Sequence, residues 1–584
     1  MTGAPDSLVP GATSPWSLDQ PFHAALARLT GGLSPLALRL AFVDWSEHLA
    51  LSPDKQIALA LAAGRSWHEL AVAGGASAQC LAGAAAPSPP SEDRRFAGAA
   101  WQSWPFDLLA HSFLATEAWW RKATTGVPGV GRHHTDIVSF AVRQMLDMAA
   151  PTNFPLTNPE VIAATLREGG LNFARGASHA MEDLRRQTAG QPPVGAEEFA
   201  VGRNLAVTPG EVVLRNRLIE LIQYAPATET VRPEPILIVP AWIMKYYILD
   251  LSARNSLIGW LVAQGHTVFV MSWKNPGSAE SALGMEEYLR LGVMAALDAV
   301  CAIVPDVPVQ VAGYCLGGTL LAIAAAAMGR DGDRRLAGIT LFAAQTDFTE
   351  AGELTLFIDE DQVRFLEHMM AEQGYLDARQ MAGAFQLLRS NDLIWSAMVR
   401  GYLLGERAPM IDLMAWNADT TRMPARMHSE YLRALFLNND LAEGRYQVGG
   451  RPVSLRDIHV PLFAVSTITD HVAPWRSVYK IQMLTDADVT FVLSNGGHNA
   501  GIVNPPGNPH RHHQIATHRE SEPYIDPDAW QARAVEMPGS WWPCWEEWLA
   551  DHSGAPTAAP PPMGAPERGY TPLGDGPGTY VLET

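Results

Sequence analysis

The stretch Gly313-Tyr314-Cys315-Leu316-Gly317 places a thiol between two glycines. It lies where the apolar run "VQVAG" (309–313) gives way to an alanine-rich segment. Glycine, any residue, nucleophile, any residue, glycine is the spacing of a nucleophile elbow, a sharp strand-to-helix turn that exposes its central side chain at a sheet edge. The glycines have a steric task, because neighbouring backbone comes too close for side chains on either side. The turn also puts Cys315 at a helix N-terminus, where a thiolate is favoured. Taken alone, Cys315 reads equally well as a core thiol, since free cysteine is among the most buried residue types. A dinucleotide-binding fingerprint fails, because Cys315 stands where the second glycine must let backbone approach a pyrophosphate.

The order of two further residues decides for chemistry. On the α/β-hydrolase fold the catalytic set follows the chain as nucleophile, acid, histidine. Asp470 follows the strand-like run "LFAVST" (462–467), and His498 follows "VTFVLS" (489–494). Both fall just past the carboxyl ends of strands, the edge where such sheets build their sites. In this reading Cys315 attacks an acyl carbonyl and His498 removes its proton. Asp470 orients His498, or helps it activate a second nucleophile. The expected oxyanion hole pairs the backbone amide of Leu316 with one from the loop "PAWIMKYY" (240–247), assigned to Ile243.

Elements must carry these residues to one edge. From about residue 201, "ILIV" (236–239), "TVFVMSW" (267–273), "VQVAG", "ITLFAA" (339–344), "LFAVST" and "VTFVLS" alternate with helical spans. Nearly continuous apolar strands of this kind predict a mostly parallel sheet covered on both faces. The expected architecture is α/β: an α/β-hydrolase core over 201–550, interrupted at about 345–458 by an inserted helical lid. Apolar residues at three- and four-residue spacing predict helices over 1–81 and a separate helical N-terminal domain over 96–200, joined by a linker at 82–95. The Pro/Gly-rich tail 551–584 reads as extended or mobile.

Composition narrows the function. The chain has 584 residues, 47% of them hydrophobic, and a formal net charge of −19, which argues against a nucleic-acid partner. Four cysteines without CxxC spacing (Cys80, Cys301, Cys315, Cys544) form no disulfide framework, and a reducing, cytoplasmic setting follows. The opening "MTGAPDSLVPGATSPW" lacks the basic and apolar regions of a signal peptide, and no run reaches the roughly 18 apolar residues of a membrane span. Cys80, Cys301 and Cys544 read as core thiols. "HRHH" (510–513) has no matching ligand set and reads as a solvated loop, so no metal is expected. No Walker A pattern is present, and no cofactor is expected.

A cysteine, where such elbows usually carry serine, makes the covalent intermediate a thioester. With a thioester donor the first step is nearly balanced, and the acyl group stays activated for transfer to an alcohol. Water must be excluded, and the 345–458 insert is a natural cover.

These residues bring the sequence close to a known family. "QPFHAALARL", "DRRFAGAAWQSWPF", "APTNFPLTNPEV", "FAVGRNLAVTPGEVV", "YILDLSARNSLIGWLVAQGHTVFVMSWKNP", "GYCLGG", "TDHVAPWRSVYK", "GGHNAGIVNPP", "GSWWPCWEEWL" and "PLGDGPGTYV" resemble blocks of the poly(3-hydroxyalkanoate) synthases, most closely the long class that works without a second subunit type. The resemblance implies a Cys315-Asp470-His498 site. It implies (R)-3-hydroxyacyl-CoA as substrate, CoA release, and a growing polyester as product. In the family reading His498 activates Cys315, and Asp470 helps the histidine deprotonate the 3-hydroxyl that attacks the acyl-thioester. The resemblance further implies a homodimer working in the cytoplasm at the surface of polyester granules. The insert, with Trp416 in "MAWNADTTRMP", resembles the family's lid and dimer region, and the N-terminal domain would serve dimer activation and granule contact. The chain departs from the family pattern at "VPAWIMKYY", where a second proline and an asparagine before the lysine are usual.

Two rival functions share these residues. A cysteine-nucleophile polyester depolymerase or thioester hydrolase would use the same triad, and only the N-terminal helices and C-terminal blocks speak against it. An inactive granule-binding protein would tolerate Cys315→Ala, and an intact ordered triad argues against it.

Overall fold

In the computed structural model, residues 19–30, 33–80, 93–377, 380, 390 and 394–584 are described. The opening segment, nearly all of the expected 82–95 linker and the side chain of Cys80 lie outside the described residues.

All six apolar runs form strands of one ten-stranded sheet. Its strands are β1 (Gly210–Arg215), β2 (Ile219–Tyr224), β3 (Ile236–Val239), β4 (Val268–Trp273), β5 (Val309–Tyr314), β6 (Leu336–Phe342), β7 (Leu462–Thr467), β8 (Val489–Ser494), β9 (His512–His518) and β10 (Val535–Pro538). Their spatial order is β1-β2-β4-β3-β5-β6-β7-β8-β9-β10. The six central strands β3 to β8 run parallel, and β1, β2, β9 and β10 pair antiparallel at the two edges. Strands β3, β4, β5, β7 and β8 are buried along their whole length, which explains their nearly continuous apolar sequence, and β2 is equally buried although it carries Glu220 and Gln223. Strand β9, between β8 and β10, begins with His512 and His513, so the second half of "HRHH" opens a strand and is not a solvated loop. His513 is buried there, with Nδ1 3.2 Å from the Gly539 carbonyl oxygen.

The insert lies between β6 and β7. It includes helices Glu360–Gln373, Asp412–Asn417 and Ala425–Tyr431. Ahead of the sheet come helices α1 (Asp19–Leu29), α2 (Pro35–Ala50), α3 (Pro53–Cys80), α4 (Phe106–Thr124), α5 (Arg132–Met148), α6 (Pro159–Glu168) and α7 (Leu171–Thr188). A small core of Ala41, Ile137, Val138 and Val142 joins α2 to α5, with Phe42, Trp45 and Trp120 around it.

These helices grip the insert at several points. The Ser34 amide donates to Gln362 Oε1 at 2.8 Å, Arg143 pairs with Glu353 at 2.6 Å, and Asn172 Nδ2 donates to the Leu403 carbonyl at 2.8 Å. Gly176 on α7 lies so close to the Tyr402 carbonyl that no side chain would fit between them.

The Pro/Gly-rich segment 551–584 is irregular apart from the 3-10 turns Pro566–Arg568 and Tyr580–Leu582, but it is fastened rather than loose. Ala558 bridges Val231 and Asp575 bridges Glu211 beside β1. The buried Glu220 carboxylate on β2 accepts from the Thr579 amide, the Thr579 hydroxyl and the Tyr580 amide at 2.8, 2.8 and 2.9 Å. Its prolines and glycines remove the helix option, and side chains of the core supply the backbone partners that a helix would have given.

Close backbone approach fixes the elbow. A Cβ on Gly317 would strike the carbonyl groups of Val239 and Pro240, and one on Gly313 would strike the backbone of Gly318. We predict that Gly317→Ala costs about 1–3 kcal/mol of stability, because rigid backbone cannot give way. The change would be seen as a lower denaturation midpoint in chemical unfolding. An unchanged midpoint would contradict the packing described.

Candidate active site

Cys315 ends β5 and begins the helix Leu316–Asp331 with φ 53° and ψ −124°, a backbone region that non-glycine residues rarely occupy. Its amide donates to the Phe342 carbonyl at 2.8 Å, and its own carbonyl accepts from Gly318 and Thr319 at 2.9 and 3.2 Å. The turn is thereby fixed from both sides, and the following helix is buried along thirteen successive residues from Leu316 to Met328. Cys315 is 8% exposed.

Asp470 follows β7 in a tight side-chain turn. Its Oδ1 accepts the amides of Val472 and Ala473, both at 2.8 Å. Its Oδ2 accepts from Nδ1 of His498 at 2.7 Å. An aspartate is required because its short carboxylate can close the turn and still present an oxygen to the histidine. The bond from the Thr469 amide to the Gly496 carbonyl, 3.1 Å, ties the acid loop to the histidine loop.

With Nδ1 on Asp470, Nε2 is the ring nitrogen left for Cys315. Burial opposes charging of His498. The Asp470 carboxylate outweighs it, with help from the Cys315 sulfur through charge and a hydrogen bond, and the imidazole is held well above its ordinary value. An imidazolium formed by taking a thiol or hydroxyl proton is therefore stabilised by the Asp470 carboxylate.

The histidine loop is pinned from outside. Trp541 Nε1 and Trp542 Nε1 donate to the carbonyls of Gly501 and Ile502, each at 3.0 Å, and Arg511 donates to Ala500 at 2.6 Å. Two residues not foreseen from the sequence join the elbow to this loop. The Tyr314 hydroxyl donates to Asn499 Oδ1 at 2.6 Å, and its ring lies 5.6 Å from that of His498. Each is the immediate neighbour of Cys315 or His498, which is the signal available in the sequence. Their contact spans 185 positions, so spacing alone does not give it. The insert adds Tyr431 from above. Burial first, and then the Cys315 sulfur, push its hydroxyl well above the usual tyrosine range.

The loop assigned to the second oxyanion donor is held at alternate points. The Pro240 carbonyl accepts from Trp273 Nε1 at 2.8 Å, the Trp242 carbonyl from the Thr421 hydroxyl at 2.8 Å, and the Lys245 carbonyl from Trp416 Nε1 at 2.8 Å. Met244 bridges Thr420. In a trans peptide the C=O and the next N–H point to opposite sides, so the Thr421 bond to the Trp242 carbonyl fixes the direction of the Ile243 amide. Trp416, part of the segment that resembles a lid and dimer region, is only 2% exposed and braces this loop within the chain.

Cys301 and Cys544 are half-buried, and burial pushes both thiols up. Neither shares the surroundings of Cys315. Among the described residues no group of three His, Cys, Asp or Glu is placed to hold a metal ion. No described helix is long and apolar enough to cross a membrane.

A sheet of this topology with the elbow at its carboxyl edge defines the α/β-hydrolase fold, and residues 234–505 match the model described as alpha/beta hydrolase fold. Residues 92–261 match the model for the N-terminus of poly-beta-hydroxybutyrate polymerase, and residues 13–55 match a second model described as poly-beta-hydroxybutyrate polymerase N terminal. The poly(3-hydroxyalkanoate) polymerase of Methylorubrum extorquens is 44% identical over 498 residues, covering 84% of this chain and 81% of its own. The poly(3-hydroxyalkanoate) polymerase subunit of Cupriavidus necator is 36% identical, covering 85% and 84%. Poly(3-hydroxyalkanoate) polymerase 1 of Ectopseudomonas oleovorans is 34% identical, covering 86% and 89%. The chain belongs to the poly(3-hydroxyalkanoate) polymerase family and is an enzyme.

The Asp470–His498 bond makes a direct prediction. The His498 ring stays protonated to higher pH than a free histidine, and Asp470→Asn, which removes the raising charge, lowers its titration midpoint. Ring-nitrogen NMR across the neutral range checks this. Identical midpoints in the two proteins would contradict the assignment of Asp470.

Proposed function

We propose that this enzyme polymerises (R)-3-hydroxyacyl-CoA into poly(3-hydroxyalkanoate), releasing CoA through an acyl group carried on Cys315. The observation that carries the reading is the cysteine at a strained elbow, beside a histidine whose far nitrogen is held by a buried aspartate. Family membership supports the polyester product, and the thiol supports the thioester intermediate.

Both half-reactions follow from this geometry. His498 Nε2 takes the Cys315 proton, and the thiolate adds to the thioester carbonyl. The oxyanion is held by the amides of Leu316 and Ile243. Collapse expels the CoA thiolate, which receives the proton from His498. One thioester replaces another, so the step is nearly balanced. In the second half His498 takes the proton of a 3-hydroxyl, and the alkoxide attacks the acyl-Cys315 carbonyl. An ester forms, and the Cys315 thiolate leaves and recovers the proton from His498. Asp470 acts throughout by way of His498, because both its oxygens are already engaged. The buried sulfur and the bracing insert keep water from the intermediate, which favours transfer over hydrolysis.

The granule-surface role rests on where apolar residues are exposed. Leu36, Leu40 and Val43 on α2, and Ile57, Leu61, Trp67 and Val72 on α3, all face solvent. A face of this kind suits a hydrophobic polyester surface in the cytoplasm. A homodimer is the proposed assembly. The exposed Ile411 and Met414, beside the buried Trp416, offer a contact on the insert.

Purified protein given (R)-3-hydroxybutyryl-CoA should release free CoA thiol and deposit insoluble polyester, and Cys315→Ala should abolish both. Thiol release with only free 3-hydroxybutyrate would make the protein a thioester hydrolase. Release that survives Cys315→Ala would overturn the assigned nucleophile.

A further inference from the structure

Lys245 is a buried cation that the reaction does not use. It is 4% exposed, and burial lowers its pKa despite the nearby Asp419 and Glu583 carboxylates. Its Nζ donates to the Val581 carbonyl at 2.8 Å and to the Glu583 carbonyl. Those two carbonyls belong to the short 3-10 turn Tyr580–Leu582 and the residue after it, so acceptors from the far end of the sequence satisfy a charge on the loop beside the elbow.

The segment is locked by two anchors of opposite sign. Glu220, a carboxylate, takes the amides of residues 579 and 580. Lys245, an ammonium, takes the carbonyls of residues 581 and 583. Glu583 Oε2 also accepts from the Asn275 amide at 3.0 Å, which fixes the segment beyond β4. On its other side the Lys245 carbonyl is held by Trp416, and the Lys245 neighbour Met244 bridges Thr420. The residue is therefore the point where the oxyanion loop, the insert and the C-terminal segment meet.

We infer that Lys245 is a positioning residue for acyl transfer: clasped by the 579–583 segment, it holds the 240–245 loop so that the Ile243 amide faces the developing oxyanion. The inference rests on the function proposed above. A long, strongly hydrated cation is costly to bury unless its protons find acceptors. Two carbonyls in fixed positions meet that need and locate the ammonium in space. Without the charge, the segment keeps its anchors on Glu220 and Asn275 but loses its direct tie to the loop. Without the segment, the lysine must leave for water and draw the loop with it. The two strands of chain hold each other, and the amide between Trp242 and Lys245 gains a fixed direction.

This role separates from a purely structural one by what it leaves untouched. An oxyanion donor serves addition to a carbonyl. It does not serve displacement at the methylene of iodoacetamide, which reads the Cys315 thiolate alone. Turnover of (R)-3-hydroxybutyryl-CoA and the rate of Cys315 alkylation are therefore measured side by side for the full-length wild type, Lys245→Met and Glu583→Ala. Lys245→Met should lower kcat by at least about tenfold, with KM within about twofold and alkylation unchanged. Glu583→Ala, which frees the segment from Asn275 and leaves Lys245 in place, should show the same signature in smaller measure. It also serves where Lys245→Met does not fold. An unchanged kcat in Lys245→Met, or parallel losses of turnover and alkylation in either variant, would overturn the inference. A wild type that turns over no acyl-CoA would overturn the functional reading and this inference with it.

Discussion

The structure turns on one unfavourable backbone conformation. Cys315 is held at a positive φ, which costs a non-glycine residue on the order of 1–3 kcal/mol. It persists because its neighbours leave no alternative. Gly313 and Gly317 bring backbone from β3 and the elbow helix into contact, the Cys315 amide is bound by β6, and the helix that follows is buried from its first residue. Relaxing the turn would break all three. The strain aims the sulfur at the carboxyl edge of the sheet, where the loops after β7 and β8 bring Asp470 and His498. It is thus the constraint that converts a sheet into a reaction centre.

Around this fixed point the rest of the chain acts as bracing. The tryptophan pair Trp541 and Trp542 holds the histidine loop, and Trp273, Trp416 and Thr421 hold the 240–247 loop. In each case a side chain donates to a loop carbonyl. A loop has no neighbouring strand to accept its backbone groups, so indole and hydroxyl donors take that place. The insert is therefore more than a cover: its segment 416–421 is part of the frame of the site. The N-terminal helices in turn grip the insert at residues 353, 362 and 403. A displacement of those helices has a physical route to the loop beside Cys315.

Much of this was legible in the sequence, for identifiable reasons. Central parallel strands are apolar on both faces, so all six were visible as continuous runs. The elbow was visible because its glycines are sterically required at fixed spacing. Asp470 and His498 were visible because they follow strands in a set order. The antiparallel strands β1, β2, β9 and β10 were not: β1, β9 and β10 are partly or wholly exposed and mix polar with apolar residues. β2 in particular carries Glu220 and Gln223 in a fully buried strand. Both serve residues 562–580, and no local pattern reports a partner more than three hundred positions away. The same distance hid the fastening of the Pro/Gly-rich C-terminal stretch, whose composition suggests mobility when its partners are unseen. Trp416 lies in the segment that resembles the family's lid and dimer region, and the bond from its indole to the Lys245 carbonyl, 171 positions away, is likewise invisible to local pattern.

The central claim is that the acyl group rides on Cys315. The most direct measurement is rapid quenching of the wild-type enzyme with (R)-3-hydroxybutyryl-CoA, followed by peptide mass spectrometry. The account predicts one or more 3-hydroxybutyryl units on the peptide that contains Cys315, attached by a bond that hydroxylamine cleaves as a thioester. Turnover with an unmodified Cys315 peptide, or acyl units on any other residue, would contradict it.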